Sequence, residues 1–255
     1  MGDRLTFLGH STVLVDLDGV RVLTDPLLGH MTGVIRRQVP VWPPGTLTGL
    51  DVVFISHGHW DHLDISSLRT LPGRPALIVP VGLGRIVAKA SLGPVHELRA
   101  GDRLQIGDLT LEAVHAEHGR RRSLFTTSED ALGVLVTGST GVYFAGDTEL
   151  FPAMTDLTGR VDVALLPVGG WGPRLGVGHM DPGRAAEAAG RISPAVAIPI
   201  HWGTLYPLGL RRLASRRFER PAPAFRAAVA ARAPGVEVRI LEPGESMELG
   251  RGAIR

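Results

Sequence analysis

Short apolar runs punctuated by glycine and proline dominate the first third of the chain. RLTFLGH (4–10) and STVLVDLDGVRVLTD (11–25) read as a strand followed by a hairpin, and Asp18-Gly19 suits a tight type I′ turn. Residues 26–50 are rich in proline and glycine and show no period, so they read as one long loop, the kind that often forms a lid or binding surface. DVVFIS (51–56) is continuously apolar, as expected of a strand buried on both faces. A helix over 64–71, a strand over 76–81, a helix over 83–91 and a short strand over 95–98 follow. LTLEAVHA (109–116), ALGVLVTG (131–138) and GVYFAGD (141–147) predict further strands of a mainly antiparallel sheet, and VDVALLPV (161–168) another buried strand. Asp181-Pro182 opens a helix to about 191, with aspartate as N-cap and proline in the first position. A strand at 195–200, a helix at 222–233 and a strand at 236–241 complete the pattern. The elements predict an α/β architecture of two packed sheets with helices outside.

Composition narrows the chemistry. The 255 residues are 44% hydrophobic and 20% charged, which excludes a disordered chain and leaves ample interior for a core. Lys+Arg number 27 against 25 Asp+Glu, so charge gives no case for a nucleic-acid partner. The chain has no cysteine, which excludes disulfides, thiolate metal sites and cysteine nucleophiles together. Any metal must be held by histidine and carboxylate. No stretch reaches the roughly 18 apolar residues that span a bilayer, and MGDRLTFLGH lacks the layout of a signal peptide, so a cytoplasmic location is expected.

Three of the ten histidines fall in SHGHWDH (56–62), directly after the buried strand. In extended backbone, side chains alternate, so His57 and His59 point to one side and can share a metal. Asp61 and His62 come where the chain turns toward a helix and can reach a second metal. One loop cannot complete two coordination spheres, so distant residues must contribute. The candidates each end an apolar strand: His115 or His118 after LTLEAV, Asp147 after VYFAG, and His201 after AVAIPI. His30 and His96 lack that setting and read as surface residues. GLGRIVA (82–88) only mimics a dinucleotide loop, since Val87 stands at the third glycine position.

The motifs LGHST (8–12), TDP (24–26), SHGHWDH (56–62), HAEHGRR (115–121), AGDT (145–148), GHMDP (178–182) and PIHWGT (199–204) occur in this order. Together they resemble the metallo-β-lactamase superfamily, and within it the branch of the L-ascorbate 6-phosphate lactonases and the N-acyl-phosphatidylethanolamine-hydrolysing phospholipase D. The resemblance implies an αββα sandwich formed as a single domain over residues 1–255. It implies one metal on His57, His59 and His118, a second on Asp61, His62 and His201, and Asp147 bridging the two. Relatives read Pro-Ala-x-His at the third motif, which aligns His118 with the ligand and puts His115 at the proline. Asp25 and His10 resemble positions that orient ligands. Asp61, Asp147 and His179 are the catalytic candidates; His179 would steady a phosphate or protonate a leaving group.

The implied activity is hydrolysis of an ester-type bond, phosphodiester or lactone, by a hydroxide activated between two divalent ions. Nitrogen-rich ligation suits zinc, and manganese or iron would also fit. Alternatives are a di-iron redox enzyme, which the histidine at position 59 disfavours, and a non-catalytic metal-binding protein. Arg120, Arg121 and Arg122, with Arg211, Arg212, Arg216 and Arg217, suggest an anionic small-molecule substrate. Trp42 in the long loop would either form an apolar wall for a lipid-like substrate or pin the loop to the domain.

Overall fold

The computed structural model describes residues 2–32, 35–40, 42–118, 131–170, 175–208 and 220–250. Along the chain, β1 (Arg4–Gly9), β2 (Thr12–Leu17) and β3 (Val20–Thr24) precede the short β4 (Met31–Thr32) and β5 (Ile35–Arg37). Then come β6 (Val52–Phe54), α1 (Ile65–Thr70), β7 (Ala76–Pro80), α2 (Gly84–Val87) and β8 (Val95–Leu98). The second half holds β9 (Arg103–Ile106), β10 (Leu109–His115), β11 (Leu132–Thr137), β12 (Gly141–Phe144), β13 (Val163–Pro167) and α3 (Pro182–Ile192). The chain continues through β14 (Val196–Ile200), β15 (Leu205–Pro207), α4 (Pro221–Arg232), β16 (Glu237–Val238) and β17 (Ser246–Glu248).

Two seven-stranded sheets result, ordered β17-β1-β2-β3-β6-β7-β8 and β16-β14-β13-β12-β11-β10-β9. Side-chain alternation explains how they stack. In β6, Val52 and Phe54 face the interior between the sheets, while Val53 packs outward with Leu68 of α1 and Val87 of α2. In β13, Val163 and Leu165 face that same interior, while Ala164 and Leu166 pack outward with Ala185 and Ile192 of α3 and Phe225 of α4. Phe54 and Phe144 meet edge to face across the interior, with ring centroids 6.3 Å apart. The layers are therefore helix, sheet, sheet, helix. Strands buried on both faces read as unbroken apolar runs, which is why the sequence disclosed them.

Each sheet divides evenly between antiparallel and parallel neighbours, three pairs of each. This corrects the expected antiparallel majority: α1, α2 and α3 lie in the crossovers that parallel pairing requires. The Asp18-Gly19 turn has φ of 47° and 79° at its two positions, the geometry of a type I′ turn. Asp64 caps α1 by accepting from the backbone of Ser66 and Ser67, and Asp181 caps α3 through Arg184 N at 2.8 Å. Gly82 N and Gly84 N both donate to Glu97 Oε1, at 2.7 and 2.9 Å, so the glycine loop at 82–84 is closed by the chain's own carboxylate.

Residues 26–50 are not one loop. β4 and β5 pair with β15 in a small three-stranded sheet. Strands of two and three residues are too short to show a period. Arg37, at the end of β5, is buried and donates to the carbonyls of Leu8 and Leu27, clamping this segment to β1. Trp42 is half-buried against the outer core of the first sheet, and its ring fills the space beside Gly244, where a Cβ would come within 2.8 Å. That placement fits a residue that pins the segment. Other departures are the missed β9, β15 and β17, a final strand of only Glu237–Val238, and a helix at 83–91 that is α2 followed by a 3-10 turn, Ala88–Ala90.

The strands give the sandwich two unlike edges. β1, β3, β6, β10, β12 and β14 all run out toward one edge and deliver His10, Asp25, His57, the 115–118 segment, Asp147 and His201 there. The turns at 18–19, 107–108 and 138–140 lie at the other edge, where Ser139 N donates to Asp18 Oδ2 at 2.6 Å.

Candidate metal centre

The site starts from Ser56, at the exit of β6. Its backbone N–H and hydroxyl both donate to Asp25, at 2.7 and 2.6 Å, and its oxygen accepts from His57 Nδ1 at 2.9 Å. A turn follows, in which His62 N and Leu63 N donate to His59 O, and it brings the His62 ring back to within 4.2 Å of the His57 ring, centroid to centroid. Two groups of donor atoms form. His59 Nδ1 lies 2.9 Å from His57 Nε2 and 3.1 Å from His118 Nε2. His62 Nε2 and His201 Nε2 are 3.2 Å apart, with Asp61 Oδ2 3.6 and 3.5 Å from them. Asp147 lies between the groups, its oxygens 3.2 Å from His62 Nε2 and 3.3 Å from His201 Nε2, and it also clusters with His57.

The far sides of the rings decide what these atoms are. His62 Nδ1 donates to Asp25 at 2.7 Å, His118 Nδ1 to Gly178 O at 2.6 Å and His201 Nδ1 to Gly169 O at 2.9 Å. In a neutral ring so held, Nε2 is a bare lone pair. Lone pairs facing one another beside two carboxylates are repulsive until a cation lies among them. Asp147 Oδ1 is buried and makes no hydrogen bond, although His201 Nε2 is near. The donor set therefore fits divalent metal, with oxygen and nitrogen ligands and no thiolate.

Electrostatics agree. Burial, reinforced by neighbouring imidazoles, lowers His57 and His118 and brings His59 down to about 4, so these rings are neutral at pH 7 and able to ligate. Burial opposes ionisation of Asp61 and Asp147, yet the surrounding imidazoles hold both well below the usual carboxylate range. Burial likewise opposes charge on His62, but Asp147, Asp61 and Asp25 outweigh it and raise His62 well above its ordinary value.

His10 donates Nε2–H to Asp61 Oδ2 at 3.0 Å and accepts His201 N at its carbonyl at 2.8 Å. Burial first, then His201, lowers it to about 3, so it is a neutral donor. His10, Asp25 and His201 have φ of 56°, 35° and 61°, left-handed backbone uncommon for such residues and typical of functional sites. His179 reaches Asp147 Oδ2 with Nε2 at 3.2 Å and Gly176 O with Nδ1 at 3.2 Å. Burial lowers it, but the bond to Asp147 prevails and raises its pKa, favouring the protonated ring.

All the sequence-derived site residues thus converge, His57, His59, Asp61, His62, His118, Asp147, His179 and His201. His115 does not; it is exposed and pairs with Glu117 at 3.2 Å. His118→Ala is expected to lose metal while His115→Ala keeps it, as metal analysis of the two purified variants would show. His30 is exposed and His96 half-buried, and neither joins a cluster among the described residues. The arginines at 120–122 and at 211, 212, 216 and 217 lie outside the described residues. Sequence reasoning missed Ser56, Thr148 and Thr204. Thr148 Oγ1 accepts Glu117 N at 2.9 Å and Thr204 Oγ1 accepts His10 N at 2.7 Å. Thr148 and Thr204 lie inside recognised motifs, AGDT and HWGT, the one signal that could have found them.

A buried histidine–aspartate cluster at one edge of a helix–sheet–sheet–helix sandwich has the chemistry of a metal centre, and with the matches that follow it marks a metal-dependent hydrolase. Residues 20–202 match the beta-lactamase superfamily domain, and the chain belongs to that superfamily. It is 33% identical to a UPF0173 metal-dependent hydrolase of Methanopyrus kandleri, over 96% of this chain and 99% of that one. It is 31% identical to an N-acyl-phosphatidylethanolamine-hydrolyzing phospholipase D of Caenorhabditis elegans, over 80% of this chain and 64% of that protein. In fold it resembles Igni18, a metallo hydrolase of Ignicoccus hospitalis, with a TM-score of 0.72 and 23% identity over 97% of this chain and 98% of the other.

Proposed function

We propose that this chain hydrolyses an ester-type bond, a phosphodiester or a lactone, in an anionic substrate that carries an apolar portion, using two divalent ions, zinc in the first instance. The observation that carries this reading is the pair of donor groups meeting at Asp147. His57, His59 and His118 would hold one ion, Asp61, His62 and His201 the other, and Asp147 would bridge them. Bound there, divalent ions lower the pKa of a water toward about 7 and polarise the substrate oxygen. The chain supplies the rest. Asp25, His10 and Ser56 fix the ligands, so little reorganisation accompanies reaction. His179, held on Asp147, is placed to hand a proton to a leaving oxygen.

The substrate reading rests on the rim. Among the described residues, the exposed large apolar side chains are Met31, Trp60, Leu175, Val177 and Leu208. Trp60 stands between His59 and Asp61, and Leu175 and Val177 precede His179. A Cβ on Gly170 would lie 3.5 Å from Leu175 Cδ1 and 3.9 Å from His201 Cε1, which sets Leu175 near the His201 ring. Leu208 follows β15, the partner of the small sheet that carries Met31. Such a rim suits a greasy group beside the reacting bond, and the relative named for a phospholipid agrees. The arginine runs in the sequence support an anionic group. Among the described residues no helix is long and apolar enough to cross a membrane.

The test is a screen of the zinc-loaded protein against lactones, phosphodiesters and thioesters with short and long acyl chains. Metal-dependent turnover of a long-chain phosphodiester or lactone is expected. Turnover surviving complete metal removal, or none on any ester, would overturn the reading.

A further inference from the structure

Glu149 lies two residues beyond Asp147 and belongs to neither donor group. Its carboxylate is nonetheless fully engaged. Oε1 accepts from Gly178 N at 3.0 Å and Oε2 from Arg184 Nη1, on α3, at 2.7 Å. Its own backbone N–H donates to Glu117 O at 2.7 Å. One residue therefore grips the chain on both sides of His118. It fixes residue 117 through the backbone, and through its side chain it fixes Gly178, whose carbonyl takes the Nδ1–H of His118 at 2.6 Å.

His118 differs in this respect from the other imidazoles. His57 and His62 are oriented by Ser56 and Asp25, which follow directly on β6 and β3, and His201 by Gly169, just beyond β13. Among the ligand histidines with these ring bonds, only His118 reaches residues 175–181, a segment with no strand or helix of its own. Met180, fully buried, and the contact of His179 with Asp147 anchor the far end of that segment, and at the residue whose carbonyl is in question the described bond is the one from Gly178 N to Glu149.

We propose that Glu149 is a positioning residue that sets metal occupancy at the His57, His59 and His118 position, by pinning Gly178 so that its carbonyl keeps His118 in the ligating tautomer and orientation. The proposal rests on the metal-binding reading above. Arg184 is half-exposed, so its ion pair with Glu149 contributes little. The hydrogen bond that Gly178 N donates to the Glu149 carboxylate carries the effect, and glutamine at 149 keeps an oxygen to accept it.

The experiment titrates zinc into the metal-free full chain against a chromophoric chelator, for the wild type, Glu149→Ala, Glu149→Gln, Arg184→Ala and His118→Ala. Glu149→Ala is expected to weaken one of two zinc positions by about 10–100-fold, the effect usual for a residue that orients a ligand, and to leave the other unchanged. Glu149→Gln and Arg184→Ala are expected within about threefold of wild type, as for loss of an exposed ion pair. Should Glu149→Ala not fold, Glu149→Asp carries the same test, because it keeps the charge and loses the reach to Gly178. Wild-type affinity at both positions in the variant that folds, or equal weakening of both, would overturn the proposal. If His118→Ala takes up as much zinc as the wild type, the ligand assignment fails, and the proposal falls with it for a distinguishable reason.

Discussion

Replacing Asp147 by alanine is expected to cost this protein both bound metal and turnover. Asp147 lies close to His57 and His118 of one donor group and to His62 and His201 of the other, and one of its oxygens is buried with no hydrogen bond. Its removal leaves His62, His179 and His201 without the carboxylate they face at 3.2–3.3 Å. We expect the metal content to fall from about two ions per chain, the number of a two-metal hydrolase. Turnover should fall by more than about a hundredfold, the upper range for residues that only orient ligands. Metal analysis and hydrolysis assays on the same sample check this, with circular dichroism to confirm the fold. A variant with wild-type metal and rate would remove Asp147 from the centre.

The second large effect belongs to the interior between the sheets. Phe144 is buried and meets Phe54 across the two layers. Phe144→Ala removes most of that ring and leaves a cavity that stiff sheets close poorly, at a cost of about 3–5 kcal/mol. For a chain of this size the melting temperature should drop by about 6–20 °C. Well below that temperature the variant should still bind metal, because Ala145 N keeps its bond to Leu165 O and so holds the strand end that carries Asp147. A shift of under about 2 °C would mean the site collapses around the missing ring.

Much of this was legible in the sequence because burial on both faces writes itself as an unbroken apolar run. DVVFIS, VDVALLPV and AVAIPI each became a central strand, and the histidines that follow the first and the last, His57 and His201, pointed to the site. The hairpin at Asp18-Gly19 was legible for a local reason, since only a few residue pairs accept two left-handed positions. What escaped reading depends on partners distant in sequence. β15 is three residues long and exists by pairing with β5, some 170 positions earlier in the chain. β17 exists by pairing with β1. The choice of His118 over His115 needed the family pattern, because both follow the same strand. The structure separates them by where a ring nitrogen finds a carbonyl, Gly178 O, and no local pattern encodes that. Arg37 carries no local signal in the sequence, and its burial against carbonyls follows from the small sheet.

The separation of the two edges makes the molecule easy to instrument. Asp108 is exposed in the β9–β10 turn, and β10, seven residues long, runs from the next residue to His115. At roughly 3.3 Å per residue, that places it on the order of 20 Å from the ligand edge. Since the chain contains no cysteine, Asp108→Cys would create its only thiol. A nitroxide attached there would sense a paramagnetic ion such as manganese arriving at the far edge, and would report occupancy without altering any ligand.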